Sequence, residues 1–520
     1  MDTASNPASA GPPGLTLPVL MVEDDESIQE LQDAMAAGRL TAEALVERYL
    51  DRIERLDRAG PTLRSVIEVN PDARAIAAAL DRERAERGPR GPLHGIPLLL
   101  KDNLDTGDRM QTTAGSLALA GPPAPRDSAV AARLRRAGAV ILGKANLSEW
   151  ANFRSSRSTS GWSARGGQCR NPYVLDRNPC GSSSGSAAAV SANLCAAAIG
   201  TETDGSIVCP AGACGVVGLK PTVGLVSRAG VVPISHSQDT VGPHARTVAD
   251  AAAVLGALAG PDPADPATAG AAAHAHADYT RFLAEDGLRG ARIGVARTTG
   301  FGGSARADAI AEAAILAIRE AGAVVVDPAP IPTQADLGGP TEVTVLLHEF
   351  KHDLDAYLAA RPGVSVRSLA DAIAFNQEHA DDELRWFGQE RFVQAQATAG
   401  LEAADYVEAL ARGRELSRRQ GIDAVMDEHR LDALLAPTGG PAWPIDPLNG
   451  DHYTTSSSTP PAQAGYPVVS VPAGFAAELP VGVSFIGRAY SEPTLVRLAY
   501  AFERLTRARR PPRFLPTLPV

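Results

Sequence analysis

The chain has 520 residues, 44% of them apolar and 21% charged, a globular balance that can fill a sizeable core. Its net charge of -11, from 49 basic and 60 acidic side chains, sets the surface against phosphate backbones and so against nucleic acid as a ligand. No run approaches the roughly eighteen continuous apolar residues that would cross a bilayer, so no membrane partner is expected.

Residues 1–22 lack a basic n-region, and the apolar piece Leu15 to Val22 is broken by Pro18. They read as a flexible tail rather than a secretory signal, ahead of a domain over 23–520 in a cytoplasmic protein. The five cysteines fall between Cys169 and Cys214 and contain no C-x-x-C pair. They are expected to be reduced and mostly buried, not a zinc ribbon or a disulfide framework.

In chain order, "TAEALVERYLDRIERLDRAG" predicts an amphipathic helix with Thr41 as N-cap and Gly60 as stop. Val46, Tyr49, Leu50, Ile53 and Leu56 share its apolar face. A charged helix, "DARAIAAALDRERAERG", follows. In "GPLHGIPLLLKDN", glycines and prolines bracket the run Ile96 to Leu100, too short for a helix, which predicts a buried strand ending at Lys101. "DSAVAARLRRAGAVILGKANLSEWA" then reads as helix, stop at Gly138 and buried strand Val140 to Leu142. The same rhythm returns at "AIAEAAILAIREAGAVVVDPAP", and such alternation points to an α/β sheet covered by helices. Residues 261–278, low in complexity, are expected to form a surface loop.

Between Leu346 and Asp353 lies His348-Glu349-Phe350-Lys351-His352, which spells H-E-x-x-H, the helical signature of a zinc peptidase. A zinc site needs a third protein ligand, and "DLDAYLAARPG" supplies no evident one. The pattern predicts an ordinary amphipathic helix instead. Val345, His348, His352 and Leu354 should lie near apolar neighbours, with Glu349 and Lys351 outward.

Residues 178–240 carry the most unusual composition: a Gly/Ser loop, an alanine-rich helix, then a second Gly/Ser turn. Such loops bring backbone N–H groups and small hydroxyls close to a ligand. Gly181 to Gly185 also satisfies G-x-S-x-G, the nucleophile elbow of α/β-hydrolases, but the preceding "VLDRNPC" is polar and contains Pro179. An elbow requires a strand there, so that reading is set aside.

"CGSSSGSAAAVSANLCAAAIGTETDGSIVCPAGACGVVGLKPTVG" resembles the Gly/Ser-rich signature of the amidase signature hydrolases, and "GIPLLLKDN" resembles their lysine strand. The resemblance covers nearly the whole chain, with its signature core at about 90–250. "NLSEWANFRSS", "SGWSARGGQ" and "TETDGSIVCPA" look most like bacterial peptide amidases. It implies a single large α/β/α domain on a mixed central sheet, and an amidase that uses no cofactor or metal.

Carried onto this chain, the family's nucleophile falls on Ser206, its bridging serine, held by a cis peptide bond, on Ser182, and its lysine on Lys101. The oxyanion donors fall on Thr203, Asp204, Gly205 and Ser206. The pocket wall is expected around Trp150, Asn152, Phe153 and Ser156, and around Trp443. Two positions depart from the commoner pattern: Asp204 stands where many members have glycine, and Val208 where many have arginine.

The chemistry fits these residue types. An amide is a poor electrophile, so the attacking hydroxyl must lose its proton. Free lysine is protonated at neutral pH, but burial beside Leu98, Leu99 and Leu100 favours the neutral base. A small hydroxyl relays the proton, and a turn of N–H groups stabilises the oxyanion. The expected function is removal of ammonia from C-terminally amidated peptides. The rivals are a zinc peptidase on His348 and His352, a silent binding protein, an amidase of aryl, fatty acyl or small aliphatic amides, and an amidotransferase-type subunit.

Overall fold

The computed structural model describes residues 25–519; the tail expected over 1–22 lies outside them. Thr41 caps the first predicted helix by accepting Ala44 N–H at 3.0 Å. The helix Ala42–Arg52 buries Val46, Tyr49 and Leu50, then widens into a π turn over Ile53–Arg58 instead of running to Gly60. That turn buries the Asp57 carboxylate, which accepts Ser65 and Val66 N–H at 2.7 and 3.1 Å and so ties the helix end to the first strand.

The first strands are β1 (Val66–Val69), β2 (Pro97–Lys101) and β3 (Val140–Ala145). A two-stranded hairpin, β4 (Trp162–Ser163) and β5 (Gly167–Gln168), stands apart from the main sheet. Next come β6 (Ala197–Glu202), β7 (Val217–Lys220) and β8 (Thr240–Ala245). The last are β9 (Arg292–Val295), β10 (Val324–Val326), β11 (Ala433–Pro437), β12 (Val468–Ala476) and β13 (Leu479–Ile486).

Eleven strands form one sheet in the order β1-β3-β2-β6-β8-β7-β12-β13-β11-β9-β10. The pairs β2–β3 and β2–β6 are parallel, whereas β6–β8, β7–β12 and β12–β13 are antiparallel. The sheet is therefore mixed. β2 lies inside it between two parallel neighbours, so Leu98, Leu99 and Leu100 are fully buried. The edge strand β10 is less covered, and Val324 is exposed.

Two elements depart from the sequence expectation. β3 continues past Leu142 to Ala145 because Lys144 is accommodated in the interior. Its Nζ donates to Leu104 O and Thr112 Oγ1 at 2.7 and 2.9 Å, with Asp102 at 3.7 Å. Within 261–278, the expected loop contains a 3₁₀ helix, Pro266–Ala273, that buries Thr268 and Ala271. Thr268 Oγ1 donates to Asp262 O and Asp265 O, a local bond pattern that low complexity conceals.

The alanine-rich helix Ser184–Ser191 is buried along its whole length. Its small side chains allow close approach to the sheet, and Gly185 is the tightest point. A Cβ there would lie 2.3 Å from Ser65 O and 2.5 Å from Asn146 O. Gly185→Ala is therefore expected to lower stability by about 3 kcal/mol in urea unfolding, since backbone cannot yield as a side-chain tip does. Gly91→Ala, whose Cβ would meet nothing within 4 Å, should stay within about 0.5 kcal/mol of the parent.

Candidate active site

Lys101 ends β2, inside the sheet, and is fully buried. Its Nζ donates to Ser182 Oγ at 2.7 Å, to Thr201 Oγ1 at 2.9 Å and to Thr201 O at 3.3 Å. Burial lowers its pKa to about 7, against weaker opposing attraction from Asp239 and Glu202. The arrangement therefore holds an amine that is readily neutral, within hydrogen-bond reach of a serine hydroxyl.

Ser182 follows the cis peptide bond Gly181-Ser182, on the loop that leads into the Ser184–Ser191 helix. The next residue ties this loop to β6 and to the second Gly/Ser turn. Ser183 Oγ donates to Thr201 O at 3.0 Å, and Ser183 N–H donates to Ser206 O at 3.2 Å. Ser206 closes the short turn that follows β6, just before the helix Val208–Ala213, and lines a cavity of about 320 Å³. That volume suits a small ligand or a short peptide end.

The turn before Ser206 is held from several sides. Thr203 Oγ1 donates to Asp239 Oδ1 at 2.6 Å, and Thr203 O accepts Gln238 Nε2–H at 3.3 Å. Gly205 has φ of +79°, and a Cβ there would lie 3.0 Å from Ser458 Oγ, so glycine meets both a conformational and a spatial demand. Asp204 accepts hydrogen bonds from Ser458 Oγ and from Thr459 Oγ1, the latter at 2.7 Å. It also shares a hydrogen bond with Glu342, whose carboxyl is raised by burial and by the Asp204 charge, so that Glu342 keeps its proton. The aspartate that departs from the commoner glycine is thus an anchor between the turn and residues 458–459.

Behind the turn, where Val208 stands in place of arginine, Glu202 Oε2 accepts Ile207 and Val208 N–H at 2.7 and 3.0 Å. The carboxylate meets the start of a helix, which favours negative charge. His244 lies in neighbouring β8 and donates Nε2–H to Ile207 O at 2.9 Å. Burial lowers its pKa to about 4, so it is neutral at ordinary pH and its Nε2–H is already committed.

The remaining sequence candidates divide. Asn152, Phe153 and Trp443 line the cavity with Thr203, Asp204, Gly205 and Ser206. Trp150 does not; it packs edge-on against Phe392 with ring centroids 5.5 Å apart, inside a satellite core. Ser156 turns away as well, and its N–H and Oγ both bond Glu390 Oε1. Residues that the sequence did not single out also take part: Thr201 beside Lys101, Asp239 and Gln238 around Thr203, and Asp451, Tyr453 and Ser458 in the cavity wall. Gln238, Asp239 and Ser458 lie in "SHSQDT" and "SSSTPP", small-polar runs like the signature itself, a signal by which those three could have been found.

His348 and His352 sit on the helix Gly339–Ala360 but face different surroundings. His348 is buried, with Nδ1 2.8 Å from Gly400 O and its ring stacked on Tyr406. His352 is exposed, not set among apolar neighbours, and its Nδ1 lies 2.9 Å from Asp353 Oδ1. Glu349, expected to face outward, is fully buried. It accepts Ser237 N–H at 3.0 Å and Tyr406 Oη–H at 2.8 Å, along with the Ser235 hydroxyl. These donors come from elsewhere in the chain, which helical periodicity cannot show. HEFKH thus docks the helix onto residues 235–237, two positions before Asp239.

The cysteine expectation is corrected in part. Cys169, Cys195 and Cys214 are free and buried, but Cys180 and Cys209 form a disulfide. Both line the cavity, and their Cα atoms are 6.0 Å apart although 29 residues separate them in sequence. Folding of the two Gly/Ser segments against each other creates this proximity, which spacing alone does not reveal.

A family model described as Amidase matches residues 44–496. The native peptide amidase from Stenotrophomonas maltophilia superposes with a TM-score of 0.89 at 55% identity, covering 94% of this chain and 98% of that one. A probable amidase from Arabidopsis thaliana is 45% identical over 94% of this chain and 92% of its own length. A glutamyl-tRNA(Gln) amidotransferase subunit from Chloroflexus aurantiacus is 38% identical over 92% and 96%, respectively.

The disulfide predicts a thiol count. Titration of the unfolded, unreduced chain with a chromogenic disulfide should find three thiols, rising to five after reduction. Five thiols without reductant would remove the bridge.

Proposed function

The chain belongs to the amidase family, and on that premise we propose that it removes ammonia from C-terminally amidated peptides through an acyl-enzyme on Ser206. The observation that carries this reading is the hydrogen bond from fully buried Lys101 to Ser182, beside a turn that brings Ser206 to a cavity. Its support as a peptide amidase is 55% identity over 94% of the chain to an enzyme of that name.

In the proposed mechanism, neutral Lys101 accepts the Ser182 proton as Ser182 accepts that of Ser206. The freed Ser206 oxygen attacks the amide carbon. Backbone N–H groups of the 203–206 turn receive the negative charge on the former carbonyl oxygen, a contribution of about 3 kcal/mol for each well-placed donor. The proton then returns through Ser182 to the leaving nitrogen, and ammonia departs. Water, activated by the same relay, hydrolyses the acyl-enzyme to the free acid and restores all three side chains.

Lys101→Ala and Ser206→Ala should each lower kcat by roughly three or more orders of magnitude with unchanged circular dichroism, and Ser182→Ala nearly as much, because the three act as one unit. The double variant His348→Ala/His352→Ala and treatment with chelators should leave ammonia release in place. Zinc lost together with activity would instead favour the peptidase reading. Ammonia release by the chain alone separates a hydrolase from an amidotransferase-type subunit.

The pH dependence follows from the base. With its pKa lowered to about 7, Lys101 is an ammonium below that value and cannot accept a proton; above it the amine is free. The kcat/KM profile should therefore fall on the acid side through about pH 7 and level off above. A histidine variant that abolished both that limb and activity would refute the lysine as base.

Internal peptide bonds and terminal amides have similar intrinsic reactivity, so selection must lie on the leaving-group side, where –NH₂ fits and a further residue clashes. A dipeptide or tripeptide amide is expected to give the intact free acid and ammonia, and the same peptide extended by one residue to survive. Mass spectrometry distinguishes these outcomes: shortened peptides would indicate a general peptidase, and turnover confined to aryl or fatty amides would indicate another branch of the family.

A further inference from the structure

The cavity beside Ser206 is electrostatically one-sided. Two carboxylates, Asp204 and Asp451, line it, and among the described residues no lysine, arginine or histidine does. Asp204 is engaged by the hydroxyls of Ser458 and Thr459. Asp451 is held differently. Its Oδ1 accepts Trp443 Nε1–H at 3.1 Å, Asn178 Nδ2–H at 3.1 Å and Ser160 N–H at 3.2 Å, while Oδ2 accepts the same Ser160 N–H at 3.0 Å. All these donors are neutral. They fix the carboxylate in place and leave its charge uncompensated, and among the described residues no cation pairs with it.

The surroundings of that charge are aromatic. Trp443, which donates to Asp451, meets Tyr453 edge to face with ring centroids 5.4 Å apart, and both rings line the cavity. Tyr453 remains half-exposed. An aromatic face attracts a cation through its quadrupole, and a carboxylate beside it adds direct Coulomb attraction. A neutral or anionic group at this place gains neither.

We propose that Asp451, framed by Trp443 and Tyr453, determines specificity by receiving a cationic group on the acyl side of the substrate. In a short peptide amide this group is the free α-ammonium or a lysine or arginine side chain. The assignment rests on the peptide-amide reading above, and it adds a charge preference that the reaction at Ser206 does not require. An N-acetylated or acidic peptide amide should be a poorer substrate than its cationic counterpart of similar size.

The test compares kcat/KM for matched pairs that differ in charge: a dipeptide amide against its N-acetyl form, and arginine-, norleucine- and glutamate-bearing peptide amides of one length. The parent enzyme should favour the cationic member by about tenfold, mainly through KM, and the margin should shrink in high salt. In Asp451→Asn, which keeps an oxygen acceptor for the fixed donors but removes the charge, that ratio should collapse towards one. Tyr453→Leu should reduce it partially. Equal rates within each pair for the parent enzyme, or preference for the anionic member, would overturn the proposal without need of any variant. An undiminished ratio in folded Asp451→Asn would overturn it as well. Aryl amides with and without an amino group are run in parallel. Turnover of those alone would remove the peptide reading, while their charge ratio would still decide the role of Asp451.

Discussion

A single buried contact, Lys101 Nζ to Ser182 Oγ at 2.7 Å, organises the site. A lysine at the end of an exposed strand would remain an ammonium and could accept no proton. As the proposed base, Lys101 depends on exclusion from water, and that depends on β2 lying between β3 and β6 within an eleven-stranded sheet. The same sheet delivers Thr201 on the adjacent strand, so that the amine is held by fixed oxygens rather than by solvent. Fold and chemistry are therefore linked at one atom: loosening the sheet around β2 would rehydrate the amine and return it towards its ordinary protonation.

The second constraint is proximity between the two Gly/Ser segments. Ser183 N–H donates to Ser206 O, the disulfide joins Cys180 to Cys209, and Glu202 meets the start of the helix that follows Ser206. These ties come from backbone, sulfur and carboxylate, respectively. Each fixes a different part of the same small volume, and small side chains are what let the backbones come close enough to make them.

Much of this was legible in the sequence because it is local. The apolar run before Lys101 and the capped helix after Thr41 are written in consecutive residues, and each appears within a residue or two of its expected place, apart from the π turn that ends the helix. What was not legible is long-range. Glu349 looks like a solvent-facing helix residue until Ser235, Ser237 and Tyr406 are folded against it. Trp150 looks like pocket material because it adjoins Asn152 and Phe153, yet Phe392 claims its ring. Lys144 reads as lying beyond a strand that ends at Leu142, although Leu104 and Thr112 supply acceptors deep in the interior. In each case the deciding partner lies well away in the chain, where periodicity and spacing carry no information.

The cavity draws part of its lining from the two Gly/Ser segments and much of the rest from residues 443–459, with Asp204 reaching across more than two hundred positions to Ser458 and Thr459. The two contributions answer to different pressures. The signature side is packed without slack, down to a glycine whose methyl would strike two carbonyls. The later loop is partly exposed and carries aromatic and polar side chains that no strand constrains. A substitution in the later loop can therefore change what the cavity presents to a ligand without straining the closely packed signature side.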